Sequence, residues 1–276
     1  MQLNSLKKSI IALTIMLSAF LITNVKGATL TETEYNRLKL VFNDFRISAM
    51  SDEDAQKFLS TDLENNKKVS KYYRVTETTN GTTTTEVSKE EATNAANNIL
   101  MTRSVSHTTS YKNLEISAME SGTNAYLIDV TVLWLISPYI KSYDVFAMRT
   151  DDATIIEGTQ QGTQGYIYKN GSSGVVDYSY NGTNMVKASN GFGISMNLVD
   201  AANTYQCYIN AYVRATTEWA TVYGSYQHAA TNVTLAQSKS YTISHNGYGK
   251  VINFATAVQN HYDGMQGVSI ALDYTA

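Results

Sequence analysis

His107, His228, His245 and His261 are far apart in sequence, but the last three could meet in space, with Asp263 nearby. Three imidazoles brought together can bind a transition metal if a coordination position stays open and outer partners orient the rings. No H-E-x-x-H pair and no Asp-rich calcium loop closing on Glu accompanies them. Separate turn or strand-end histidines are the plainer reading, so no metal or other cofactor is expected, and these three are the only candidate ligands. A cysteine nucleophile would have to be Cys207, the single cysteine. In "YQCYINAYVR" it shares one strand face with Tyr205, Ile209, Ala211 and Val213, where a lone thiol acts as a small hydrophobe. Serine hydrolysis commonly uses G-x-S-x-G, which is absent, and "GSSG" at 171–174 reads as a hairpin turn. Paired carboxylates about 5 Å or 6.5–9.5 Å apart hydrolyse glycosides. Glu115, Asp129, Asp144 and Glu218 are the strand-borne acids, and nothing in their spacing pairs two of them. No catalytic residue is assigned.

Binding chemistry has more support. The other face of "YQCYINAYVR" carries Gln206, Tyr208, Asn210, Tyr212 and Arg214, and "EWATVYGSYQ" adds Trp219, Tyr223, Ser225 and Gln227. Flat aromatic rings beside amide and guanidinium donors suit sugars, and tyrosine offers much contact area at low entropic cost. Tyr208, Tyr212, Arg214, Trp219 and Tyr223 are therefore the candidate ligand-binding residues. Cross-strand tyrosines also simply stabilise sheets, which is the competing reading.

The elements that must position these groups read mainly as strands. "YLIDVTVLWLI" puts Ile128, Val130, Val132, Trp134 and Ile136 on one face and Leu127, Asp129, Thr131, Leu133 and Leu135 on the other. Both faces are largely apolar, which predicts a central strand covered on both sides. "FGISMNLV" alternates Phe192, Ile194, Met196 and Leu198 inward. "VINFATAV" and "GVSIALDY" close the chain in the same style. Turn clusters such as "KNGSSG", "YNGTN" and "SNG" punctuate these runs, as in an antiparallel sandwich. The only proline, Pro138, ends the strand of Trp134, because proline has no N–H for the ladder. "SYDVFAMR" then restarts with Tyr143, Val145, Ala147 and Arg149 on one face and Phe146 and Met148 on the other. This predicts a corner between strands, with Asp144 capping the turn or pairing with Lys141 or Arg149.

Ahead of the strands, "TETE" at Thr31–Glu34 is a capping box. Tyr35, Leu38, Val41, Phe42 and Phe45 follow at helical spacing. Ser51 with Asp52, Glu53 and Asp54 starts a second helix, the acids opposing the helix dipole, and the hairpin so formed ends near Leu63. "SKYYRVTETT" and "TTTTEVS" flank Asn80-Gly81, a strong hairpin signal. Ser88 begins a further short helix. The fold class expected is mainly β: an antiparallel β-sandwich-like domain preceded by a short helical segment. The divisions are a signal peptide at 1–27, helices at 28–68, a Thr-rich hairpin and short helix at 69–104, and the β domain at 105–276.

The signal peptide rests on Lys7-Lys8, the apolar run Ile10–Ile22 and the polar "TNVKGA", with cleavage after Gly27. Thirteen apolar residues fall short of the ~20 that a spanning helix needs. Removing the leader takes Lys7, Lys8 and Lys26 and no acid, so 21 basic residues become 18 against 24 acidic, and the net charge moves from −3 to −6. That balance argues against nucleic acid as a partner. "SYDVFAMR", "YGSYQHA", "SHNGYG" before "KVINF", and "HYDGMQGVSI" resemble stretches of a family of uncharacterised exported proteins of Gram-positive bacteria. The resemblance implies secretion and a β fold and no activity. The expectation is an exported, non-catalytic protein, extracellular or cell-wall associated, that binds a cell-envelope glycan or surface protein, with no stable membrane span. A secreted glycan or peptide hydrolase and a membrane-active protein inserting the Thr-rich hairpin are the alternatives.

Overall fold

The computed structural model describes residues 27–78, 81–97, 108–244, 250–264 and 266–276. The expected leader therefore lies outside the described residues, apart from Gly27. Three short helices open the chain: α1 (Glu32–Leu38), α2 (Asp44–Ser48) and α3 (Asp52–Leu59). Thr31 and Glu34 form the full capping box. The helical spacing from Tyr35 to Phe45 is not one helix, however. The chain turns after Leu38 and restarts when the Asn43 side chain accepts from the Arg46 N–H. Ser51 caps α3 as expected.

Strand β1 (Asp62–Thr78) starts well before the expected end of the helical segment at residue 68. It forms the Thr-rich hairpin with β2 (Gly81–Val87), paired out to Thr78 opposite Gly81, whose φ of 128° suits glycine. Asn80 is outside the described residues. Helix α4 (Lys89–Asn97) follows, its Glu91 N–H donating to Ser88 Oγ. Then come β3 (Thr108–Gly122), β4 (Ala125–Ile136), β5 (Tyr143–Asp151), β6 (Ala153–Ile155), β7 (Gln161–Tyr168) and β8 (Ser173–Tyr178). Next are β9 (Met185–Ala188), β10 (Gly191–Asn197), β11 (Ala202–Ala215) and β12 (Thr221–Gln227). The chain ends through α5 (Leu235–Ser238), β13 (Tyr241–Ile243), β14 (Ile252–Phe254), α6 (Thr256–Gln259) and β15 (Gln266–Ala271).

The fold is mainly β, with antiparallel sheets packed together. An eight-stranded sheet runs β2-β1-β3-β4-β11-β7-β8, with β6 joined to β11. A five-stranded sheet runs β15-β12-β5-β10-β9. Because β1 pairs along β3 from Lys67 to Glu77, the hairpin belongs to the same sheet as the later strands rather than to a separate region. Strands β4 and β5 lie in different sheets, so Ser137-Pro138 is the corner that carries the chain between them.

The core fills the space between the sheets. Ile128, Val130, Val132 and Trp134 from β4 and Cys207, Ile209 and Ala211 from β11 face Phe146, Met148, Phe192, Ile194, Met196 and Val222. Gly224 sits where a Cβ would lie 2.7 Å from Val130 Cγ1, so the missing side chain sets how closely the sheets approach. The outer faces are covered as well. Leu38, Phe42, Ile47, Met50 and Phe58 of the helical segment pack on Met119 and Leu127 of the larger sheet. Residues Ala229, Val233, Tyr241, Val251, Ile252 and Tyr262 pack on Val145 and Ala147 of the smaller one. Strand β4 is thus central and buried on both sides, as its two apolar faces predict.

Candidate functional site

The alternation that builds the core also carries charge into it. On β3, Ser110, Lys112, Leu114, Ile116 and Ala118 are all buried, the first two polar and the rest lining the core. Asp144 shares the parity of Phe146 and Met148, and His228 follows Tyr226 on the inward face after β12. Asp263, Lys112, Asp144 and His228 all have side chains with no exposure. Such groups are tolerated inside only when each meets a partner.

The partners are in place. Lys112 Nζ lies 2.9 Å from Asp263 Oδ2. His228 Nδ1 lies 2.9 Å from Asp144 Oδ1, and its Nε2 lies 3.3 Å from Glu77 Oε1 on the hairpin. The Tyr226 hydroxyl donates to Asp144 Oδ2 and accepts from Trp134 Nε1 at 3.1 Å. Asp263 Oδ1 accepts the His228 backbone N–H at 2.8 Å, and its Oδ2 accepts from Thr84 Oγ1 at 2.9 Å and Gln266 Nε2 at 3.0 Å. The Ala229 N–H donates to Asp144 Oδ1 at 2.9 Å. Strands of both sheets and the hairpin therefore converge on one cluster at the corner.

Burial alone pulls His228 towards the neutral form, but Asp144 and then Glu77 override it and raise its pKa to about 9. Both ring nitrogens face carboxylate oxygens, so the ring is an imidazolium donating from each. Burial lowers the Lys112 pKa, with Asp263 opposing the fall. Asp144 pairs with His228 and Tyr226, not with Lys141 or Arg149. Lys141 instead donates to the Ala202 carbonyl and Arg149 to Asp151.

His228 is in the cluster, His261 Nδ1 meets Thr231 Oγ1 at 2.9 Å, and His245 is outside the described residues. Among the described residues no group of three His, Cys, Asp or Glu side chains could hold a metal ion. Cys207 is buried in the core and its thiol is pushed up by burial.

The candidate binding residues do not share one open face. The face of β11 that carries Tyr208, Asn210 and Tyr212 is roofed by the helices. Tyr208 is buried beneath the Arg46 guanidinium, and Lys57 Nζ donates to Asn210 Oδ1 at 2.6 Å and lies over the Tyr212 ring. Tyr223 is on β12, in the other sheet, half-buried against the C-terminal covering layer. The alternation along β11 holds in the structure, but covering by a third layer is a non-local event that strand period does not encode. Arg214 is exposed, and Trp219 is 74% exposed on the turn joining β11 to β12. Glu77, Lys112 and Tyr226 join the cluster although no motif in the sequence marks them. The signal was there for Lys112, a cation at the period-two position of Leu114 and Ile116.

An open groove of about 560 Å³ lies beside the hairpin, lined by Lys68, Lys71, Tyr72, Glu86, Lys89 and Glu115. Lys68 pairs with Glu115 at 2.9 Å and Lys71 with Glu86 at 3.2 Å, so its charges are largely met within it. No helix among the described residues is long and apolar enough to cross a membrane.

No family model matches the chain, and no curated protein matches it. The likeness to solved structures is weak, as two of them show. The enzymatically active domain of bacteriophage CBA120 tailspike protein 4 is 9% identical, with a TM-score of 0.22 over 55% of this chain and 18% of that chain. Clostridium perfringens delta-toxin is 6% identical, with a TM-score of 0.20 over 71% of this chain and 91% of that one. Scores this low establish neither a shared fold nor a shared activity.

Proposed function

We propose that this is an exported, non-catalytic protein that binds a cell-envelope glycan or a surface partner through the end of the sandwich bearing Trp219. The observation that carries the reading is the exposure of that indole. Trp219 is 74% exposed on a turn whose backbone is pinned: its N–H donates to Thr217 Oγ1 at 3.2 Å, and Thr221 Oγ1 donates to its carbonyl at 3.2 Å. A large aromatic side chain held out on an ordered turn is the residue type that dominates contact energies when a partner covers it. Exposed Arg214, on the strand leading into the turn, adds a planar donor. Export is supported by the basic, apolar and polar succession of residues 1–27.

A hydrolase is less well supported. The one buried imidazole–carboxylate cluster gives it no support, because His228, Asp144 and Asp263 have no surface for a substrate to reach. The test is co-sedimentation of the protein with purified insoluble cell walls. Pelleting that survives moderate salt and is lost in Trp219→Ala supports the reading. A protein that stays wholly in the supernatant overturns envelope binding.

A further inference from the structure

We propose that Lys112 and Asp263 become joined by an intramolecular isopeptide bond, formed after folding without any cofactor, which ties β3 of the larger sheet to the segment entering β15 of the smaller one. The reactants are an amine and a carboxyl group 2.9 Å apart, both without solvent exposure. They are held by the fold in the near-contact arrangement that replaces a bimolecular encounter. The walls are aromatic: the Trp134 and Tyr226 ring centroids lie 4.8 and 4.6 Å from Lys112 Nζ. Burial away from water disfavours the charged amine, and one proton transfer converts the pair to a neutral amine and a neutral acid. Burial lowers the Lys112 pKa in that same direction.

The carboxyl group is also set up as an electrophile. The His228 backbone N–H points at Asp263 Oδ1 from 2.8 Å, where charge develops when the carbon is attacked. Thr84 Oγ1 and Gln266 Nε2 fix the other oxygen, Oδ2. A proton carrier is present in Glu77. Its Oε1 faces His228, while its Oε2 is buried with no hydrogen-bond partner among the described residues.

The step balances. The Lys112 ammonium passes one proton to Asp263 Oδ2. The freed lone pair on Nζ attacks Cγ, and the charge forms on Oδ1. Glu77 takes a second proton from Nζ and delivers it to Oδ2. The C–Oδ2 bond breaks, water leaves, and the carbonyl re-forms as an amide with one N–H. No oxidant, metal or nucleotide is consumed. Exclusion of water from the closed core disfavours the reverse hydrolysis. The Lys57–Asn210 contact provides a comparison. It is as close, at 2.6 Å, but Lys57 is only partly buried on α3, and condensation there would release ammonia instead of water.

The test is the intact mass of the purified, folded protein, followed by peptide mapping. The expected result is a mass lower by one water and a branched peptide joining the segments around Lys112 and Asp263. A full mass with linear peptides bearing free Lys112 and Asp263 overturns the proposal, and so does a loss of ammonia or a water loss that maps elsewhere. Lys112 and Asp263 variants leave a buried partner unpaired and can fail to fold, so Glu77→Gln is the informative variant. Its folded fraction is expected to keep the full mass. Cross-linking of Glu77→Gln at the wild-type rate would overturn the role given to Glu77.

Discussion

Asp144 and His228 meet 2.9 Å apart where the chain has just turned from one sheet into the other. The acid comes from the strand after the corner, and the histidine from the end of its neighbour β12. The contact therefore locks the corner to the second sheet, while Glu77 on the far ring nitrogen locks in the hairpin. Proline ends one strand, and the charge pair fixes where the next begins.

The pH dependence of stability follows from this pair. The folded His228 pKa, about 9, stands above the ordinary unfolded value of about 6.5. Its contribution is fully present below about pH 6.5 and is lost as pH rises through about 9. The groups facing the ring are Asp144, Glu77, Tyr226 and the Lys112–Asp263 pair. The unfolding free energy from urea titrations should be lower at pH 9 than at pH 6 by an amount on the order of 3 kcal/mol. His228→Gln, less stable at pH 6, should show a much flatter profile. An equal slope in both proteins would place the titration elsewhere.

Period-two alternation in the sequence marks β4, β5, β10 and β11, the corner and the buried face around Cys207. The same parity carries the charged cluster. Asp144 is two positions before Phe146, and Lys112 two before Leu114. What alternation could not show is which outer faces receive a further layer. Tyr208 and Asn210 read as outward residues, and they are, but the N-terminal helices lie over them. That coverage depends on where α2 and α3 pack, a tertiary choice with no local signature in β11.

Gly224→Ala should destabilise the protein by about 1–3 kcal/mol, because the added methyl has no room. Its Cβ would fall 2.7 Å from Val130 Cγ1 and 2.8 Å from Cγ2 on the facing sheet. A β-branched valine cannot swing away as a longer side chain would. Val130→Ala in the same chain should recover part of the loss, which a thermal or urea denaturation series would read. No recovery would mean that the strain lies in the backbone of β12.

Arg46→Met should separate charge from packing beneath the helices. Arg46 is fully buried, donates to Asp129 Oδ1 at 3.2 Å and stacks over Tyr208, while Asp129 keeps a bond from Thr131 Oγ1 at 2.6 Å. Removing only the cation leaves a buried carboxylate, with an expected loss of about 3–5 kcal/mol. The double variant Arg46→Met, Asp129→Leu should be markedly less destabilised than the single one. Strict additivity in the double-mutant cycle would show that the ion pair is not coupled.

The sequence groups Tyr208 and Trp219 on one binding surface, but their different burial separates what each substitution should do. Tyr208→Ala removes a buried ring from under Arg46 and should lower stability by about 3–5 kcal/mol, as for other large aromatic truncations. At temperatures where the variant stays folded, its retention on cell walls should match the wild type. Trp219→Ala alters an exposed turn and should shift stability by no more than about 0.5 kcal/mol, yet abolish retention. Parallel denaturation and co-sedimentation of the two variants resolve the matter. If Tyr208→Ala lost retention while folded, the helical roof would have to open in the bound state, and the binding surface would be the sheet face beneath it.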